Sequence, residues 1–219
     1  MVITYYGVSC FKIQSGDLIL AFDPPSKESS VKTPRFQADI VLSSHNHPRH
    51  NGLENLNPKA GQELFSVIHP GEYEIKKIYI QGIPCFHDSS QGQKYGLNTI
   101  YRLVMEDLTF CHLGDFGEKE LRSETEEKIN GVDVLFAPIG GDTVLDSAAA
   151  ARVINQISPG LVIPMHYEVE GKRNKILEEF YNEMGIEEIN PVDKLSVRKK
   201  DFSEGDRTKV AVFKSLFSG

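Results

Sequence analysis

Four apolar runs in this chain each stop at a side chain able to ligate a metal. ADIVLSS runs straight into HNHPRH, IPCFHD reaches His87, FCHLGD reaches Asp115, and LVIPMH ends at His166. Short, nearly continuous apolar runs read as buried strands, and α/β folds place ligands at the C-terminal mouths of such strands. The chain is therefore constrained to a fold that gathers these strand ends at one edge, where five histidines and a carboxylate would meet. Taken singly, each is an ordinary capped strand end; the set is what points to a site.

The first half reads as strands throughout. VITYYG, CFKIQS and DLILAF are rich in β-branched and aromatic residues and are parted by turn signals such as SGD, which predicts an antiparallel meander. LFSVIH, KKIYIQGIPCFH, LNTIYRLVM and LTFCHLGD continue the pattern. Pro24–Gln37, opened by adjacent prolines, breaks regular structure and is expected to form a surface loop near the site, a candidate lid.

The second half alternates helix and strand: GEKELRSETEEKIN, VDVLFAPI, DSAAAARVINQI, LVIPMH and KRNKILEEFYNEMG. Asp146 is placed to cap the alanine-rich helix. In the last helix Ile176, Leu177, Phe180, Tyr181 and Met184 form an apolar stripe, and Gly185 supplies the stop. Strands followed by this alternation, with no linker or repeat, predict one α/β domain over residues 1–219 with helices flanking packed sheets.

Charge and cysteine usage narrow the function classes. With Lys+Arg 24 against Asp+Glu 31 the net charge is -7, and the longest basic run is VRKK, so nucleic acid is not an expected partner. Cys10, Cys85 and Cys111 are odd in number, widely spaced and set in apolar runs, which predicts reduced core thiols. No apolar run approaches the roughly 18 residues of a membrane helix, and MVITYYG enters strand sequence at once, so a cytoplasmic protein with no membrane partner is expected. Oligomeric state is not legible.

His45, His47 and His50 follow an H-x-H-x-x-H spacing directly after a buried strand, a pattern suited to one or two divalent ions. His69 and His112 read as structural histidines. Tyr167 reads as a packing residue, and PIGGD as a loop on the site's rim.

The order and spacing of these motifs resemble the metallo-β-lactamase superfamily, whose hallmark is H-x-H-x-D-H after a strand, then a His, a bridging Asp and a final His. ITYYGVSCFKIQSGDLILAFDP, FHDSSQGQKYGLNTIYRL, HLGDFG, PIGG and IPMHY resemble its small Zn-dependent hydrolases related to ascorbate-6-phosphate lactonase, from Ile3 to about Val212. The resemblance implies an αββα sandwich of two mixed sheets flanked by helices. It implies that His45, His47 and His87 hold a first metal, that His50 and His166 hold a second, and that Asp115 bridges them. Asp23, in AFDP, resembles the acid that steadies the histidine loop.

One position departs from the family. Where H-x-H-x-D-H has its Asp ligand, this chain has Arg49, and a guanidinium has no lone pair to donate. Three readings follow. Arg49 projects toward the second-metal position and replaces part of that charge; or it turns away to an acid such as Asp88 or Asp142 while two metals still bind; or catalysis is lost and the fold serves as a metal-binding or structural module. A bound Zn²⁺ brings the pKa of a coordinated water to about 7, so the sequence predicts a metal-dependent hydrolase acting on a small ester, lactone or phosphoester substrate. Asp115 and Arg49 are its catalytic candidates, and Zn, as one or two ions, is its cofactor, with Mn or Fe also compatible with such ligands.

Overall fold

The computed structural model describes residues 1–32, 34–167, 173–187, 189–202 and 207–214. Thr33 of the predicted loop and Lys172 of the predicted last helix lie outside these residues. Strands β1 (Val2–Tyr5), β2 (Phe11–Ser15) and β3 (Leu18–Phe22) form the expected antiparallel meander. Then β4 (Ile40–Leu42) and β5 (Phe65–Val67) join it in parallel. With β12 (Leu195–Ser196) on the other side, the first sheet runs β12-β1-β2-β3-β4-β5.

The second sheet begins with an antiparallel set, β6 (Gly71–Ile75), β7 (Ile78–Phe86), β8 (Leu97–Met105) and β9 (Leu108–His112). It continues in parallel through β10 (Val134–Pro138), β11 (Leu161–Met165) and β13 (Lys209–Val210). Because β7 and β9 both run antiparallel to β8, they point the same way as β10 and β11. The residues that follow β7, β9 and β11 therefore emerge at one edge, and these are His87, Asp115 and His166.

The two sheets share one apolar core. Alternation decides the faces: Leu20, Phe22, Ile40 and Leu42 enter the large core with Ile80, Leu103, Phe110 and Phe136, while Ala21 and Val41 face a small second cluster with Ala38 and Leu56. That outer cluster is closed by Phe36, Leu53 and Leu64, around a 3₁₀ turn at Leu53–Asn55. The α-helices of the described residues all come from the second half: α1 (Ser123–Ile129), α2 (Ser147–Ile157) and α3 (Arg173–Met184). Asp146 caps α2 by accepting the Ala149 N–H at 2.8 Å, and Gly185 ends α3 at φ 62°.

The helix predicted over GEKELRSETEEKIN is shorter than its sequence suggests. The Glu118 carboxylate accepts the Phe86 N–H at 2.9 Å and pairs with Arg122 at 3.2 Å, while the Gly117 N–H donates to the Phe86 carbonyl. Tertiary bonds to the end of β7 hold residues 117–122 out of the helix.

Asp39 ties the two sheets' edges together. Its buried carboxylate accepts the Ile19 N–H at 2.8 Å and pairs with Lys59 and Lys76, each at 2.6 Å. Burial pushes this carboxyl up, but the two lysines outweigh it and hold it below the ordinary aspartate value. A depressed carboxyl stabilises the fold above its unfolded pKa, and this contribution is lost as pH falls through the folded value. Asp39→Asn is expected to lower stability by about 2 kcal/mol at pH 7, discounted for the partly exposed lysines. The difference from wild type should shrink below about pH 4; urea unfolding at both pH values checks this, and a constant difference contradicts it.

Candidate metal centre

The histidine loop leaves β4 at Ser43, and its shape is set by its neighbours. Tyr101 Oη donates to the Ser43 carbonyl at 2.9 Å, and the Thr99 N–H donates to the Ser44 carbonyl at 2.9 Å, so the second sheet grips the loop. From outside, the Ser26 N–H donates to the Pro48 carbonyl and the Gly52 N–H to the Pro24 carbonyl, both at 2.7 Å. The opening residues of the loop expected as a lid, Pro24–Gln37, do not line the cavity. They clasp the back of the histidine loop, because Pro24 and Pro25 offer free carbonyls that the loop amides and Asn55 use.

Beneath the loop lies Asp23, fully buried, with φ 43°. Its Oδ1 accepts the Ser44 N–H at 2.7 Å and its Oδ2 the Ser44 Oγ–H at 2.8 Å. That hydroxyl, having given its proton to Asp23, accepts from His45 Nδ1 at 3.0 Å. His50 Nδ1 lies 3.2 Å from Asp23 Oδ2 and 2.7 Å from Ser9 Oγ. Both rings thereby keep a proton on Nδ1 and turn Nε2 toward the cavity.

All six predicted ligands are brought together. His50, His87 and His166 place Nε2 at 3.3, 3.2 and 3.0 Å from the Asp115 carboxylate, and His45 at 3.9 Å. Three overlapping sets, His45–His47–His50, His45–His87–Asp115 and His50–Asp115–His166, each have donor atoms within 4.8 Å of one another. The Nε2 atoms of His45, His50, His87 and His166, and Asp115 Oδ1, are buried without a hydrogen-bond partner among the described residues. Orphaned buried polar atoms are costly, and five converging on one point need a common partner. A tetrahedral ion with bonds of about 2.0–2.1 Å spaces its donors by about 3.3 Å, close to the distances from Asp115. The donor set fits a metal such as zinc.

The charges of the cluster are interdependent. Burial and the neighbouring His50 push His45 down to about 3, against the pull of Asp115 and Asp23. His50 goes the other way: burial would lower it, but the carboxylates of Asp115 and Asp23 on either side push it up to about 10, so a metal held by its Nε2 takes the place of a proton there. Asp115 is held well below the usual carboxylate range; burial opposes this, and His166 and His50 outweigh it.

Close backbone approach builds the opposite wall. Gly114 has φ 58°, and a Cβ there would stand 2.3 Å from Asn98 Oδ1 and 2.6 Å from Ser44 Cβ. Asn98 Oδ1 accepts the Asp115 N–H at 3.0 Å. Gly114→Ala is therefore expected to displace Asp115 and cost about 2–4 kcal/mol; a melting temperature within 2 °C of wild type, roughly 0.5–1 kcal/mol for a chain of this size, would contradict the packing argument. Gly140 serves His166 likewise: a Cβ would lie 2.0 Å from the His166 carbonyl, and His166 itself sits at φ 65°.

The donors line a cavity of about 300 Å³ with Arg49, Asn46, Tyr95 and Thr143. Thr143 directly follows the predicted rim loop PIGGD. Tyr95 was not legible from spacing; its ring lies 5.2 Å from that of His87. The loop that carries it is moulded by Asp88, whose carboxylate accepts the N–H groups of Ser90, Gly92, Lys94 and Tyr95 at 2.7–3.1 Å. An Asp followed by small residues and glycine was the available signal. Asp88 is thus committed, and Arg49 pairs with neither it nor Asp142 nor Asp115. Among the described residues Arg49 forms no ion pair, and it is exposed at the cavity rim.

His112 and Tyr167 take structural places, and His69 lies outside the cavity lining. His112 is buried, stacked flat on Phe22 at 4.5 Å, with Nε2 3.0 Å from the Ser9 carbonyl and Nδ1 accepting the Gly114 N–H. Tyr167 is buried and donates to the Phe213 carbonyl at 2.7 Å. His69 is exposed beyond β5. The three cysteines are free and buried, and no described helix is long and apolar enough to cross a membrane.

Comparison with known proteins agrees with this architecture. The chain is 28% identical over 195 residues to a protein of Carboxydothermus hydrogenoformans named as a metal-dependent hydrolase, covering 76% of this chain and 84% of that one. A Pyrococcus horikoshii protein of the same description is 26% identical over 211 residues, covering 84% and 92%. The crystal structure of a protein from Thermotoga maritima, assigned as a Zn-dependent hydrolase of the metallo-β-lactamase superfamily, superposes with a TM-score of 0.75 at 24% identity over 97% of each chain, a likeness of fold. The family profile of the beta-lactamase superfamily domain matches residues 2–166, and it is to this superfamily that the chain belongs.

Proposed function

We propose that the protein is a zinc-dependent hydrolase of a small ester, lactone or phosphoester, with His45, His47, His87, His50 and His166 as ligands and Asp115 between them. The observation that carries this reading is the convergence of four orphaned imidazole Nε2 atoms and Asp115 Oδ1 at the mouth of one cavity. Three or more imidazoles with a carboxylate suit zinc, and the names of the relatives support the same chemistry. The chain is taken as one cytoplasmic domain, which three free buried thiols support.

When bound, zinc acidifies a coordinated water to a pKa of about 7 and polarises the scissile bond. The chain's own groups do the positioning. Asp23 and Ser44 keep His45 and His50 in the ligating tautomer, and Asp115, held ionised by its histidine neighbours, accepts a hydrogen bond from the attacking water and so orients it. Hydrolysis adds the water's hydroxyl to the acyl carbon or phosphorus and its proton to the departing oxygen. Arg49 contributes a fixed positive charge at the rim.

The test is elemental analysis of protein purified without chelator, alongside hydrolysis of neutral nitrophenyl esters before and after chelation. At least about one zinc per chain is expected, with activity lost on chelation and restored by zinc. A chain that takes up no zinc sinks the proposal. A chain that binds zinc but hydrolyses no ester, lactone or phosphoester would favour the non-catalytic module instead, a reading that the missing Asp ligand at Arg49 supports.

A further inference from the structure

Arg49 presents five N–H donors at the rim of the cavity with no acid among the described residues to receive them. Three of the acids around the site are otherwise engaged, and the fourth, Asp142, stands exposed in the adjoining cavity with no ion pair to Arg49. Asp115 faces four histidines, Asp23 is saturated by Ser44 and His50, and Asp88 holds four backbone amides. Apart from Asp115 and the histidines, the lining consists of Asn46, Tyr95 and Thr143, neutral groups that do not repel an anion. Of the two lysines that line an adjoining cavity, Lys94 lies over the Tyr95 ring at 4.6 Å, and the other is Lys119.

The surroundings make such a charge consequential. The protein as a whole carries a net charge of -7 and repels anions, so an anionic substrate needs a local field of opposite sign. A guanidinium matches the paired oxygens of a carboxylate or phosphate. It also lies between His47 and His50 in the chain, beside the groups that would perform the chemistry.

We infer that Arg49 is the anion anchor of the substrate site, so that the substrate bears a carboxylate or phosphate group close to the bond that is cleaved. This rests on the hydrolase reading above. It takes the position that in the family holds a metal ligand and gives it to the substrate.

The experiment is calorimetric titration of the zinc-loaded full chain with succinate and, separately, with inorganic phosphate, for wild type, Arg49→Gln and Arg49→Lys. Zinc per chain and circular dichroism are measured on each sample. Arg49→Gln is expected to weaken the preferred anion at least about tenfold, because the paired N–H donors are lost, with zinc content unchanged, because a guanidinium ligates no metal; Arg49→Lys, a point charge without the fork, should recover only part. Whichever anion binds wild type more tightly names the source, carboxylate or phosphate. If Arg49→Gln binds both anions as wild type does, or wild type binds neither at millimolar concentration, the anchor is wrong and the hydrolase reading stands. If wild type takes up no zinc, the hydrolase reading falls and the anchor falls with it.

Discussion

Asp115→Asn is expected to weaken zinc binding by about a hundredfold or more and to remove detectable ester hydrolysis, with the fold intact. The substitution keeps the side chain's shape. What changes is charge and donor chemistry at the one carboxylate of the cavity, which lies 3.0–3.3 Å from His50, His87 and His166 and 3.9 Å from His45. The six candidate donors otherwise include no negative charge to offset a divalent ion. The amide also points an N–H₂ group at the imidazole Nε2 atoms, and by donating to them it competes with the metal. Competition with a chromogenic chelator gives the zinc affinities directly. An Asp115→Asn protein that holds zinc as tightly as wild type would show that the histidines alone make the centre.

The legible part of this molecule follows from strand-terminal donors. A strand that ends in His or Asp needs no knowledge of its partners, and His45, His87, Asp115 and His166 are legible because an apolar run stops at each. The meander, the strands β10 and β11, the Asp146 cap and the Gly185 stop are legible from similarly local signals. What escaped depends on contacts far apart in sequence. The two-residue strands β12 and β13 exist only through pairing with β1 and β11, and β6 carries mostly exposed side chains, so it lacks an apolar signature. The start of the acidic helix yields to Glu118's bond to β7. Tyr95 reaches the cavity because Asp88 folds its loop, and the freedom of Arg49 is set by what other acids are bound to. Neither can be read from spacing.

Asp23 separates holding the fold from holding the metal, and two substitutions there should part the two. Asp23→Ala removes the acceptor of the Ser44 N–H, the Ser44 hydroxyl and His50 at a fully buried site. It also puts alanine at φ 43°, so a loss of about 3–5 kcal/mol is expected. Asp23→Asn behaves differently. Asparagine tolerates the left-handed region, and its Oδ1 still accepts the Ser44 N–H, so the fold should lose only about 1–2 kcal/mol. Its N–H₂, however, now faces Ser44 Oγ and His50 Nδ1. To avoid opposing donors, His50 must move its proton to Nε2, the atom that faces the cavity 3.3 Å from Asp115. A protonated Nε2 cannot ligate, and zinc affinity should fall by about 10–100-fold although no proposed ligand has been touched. Ser9→Ala is the control: it takes one partner from His50 Nδ1 at 2.7 Å and leaves Asp23 in place, so the tautomer and most of the zinc affinity should survive. Nitrogen NMR of the imidazoles reads the tautomer in each variant. If His50 keeps its proton on Nδ1 in Asp23→Asn, or that variant binds zinc like wild type, then Asp23 serves the fold alone.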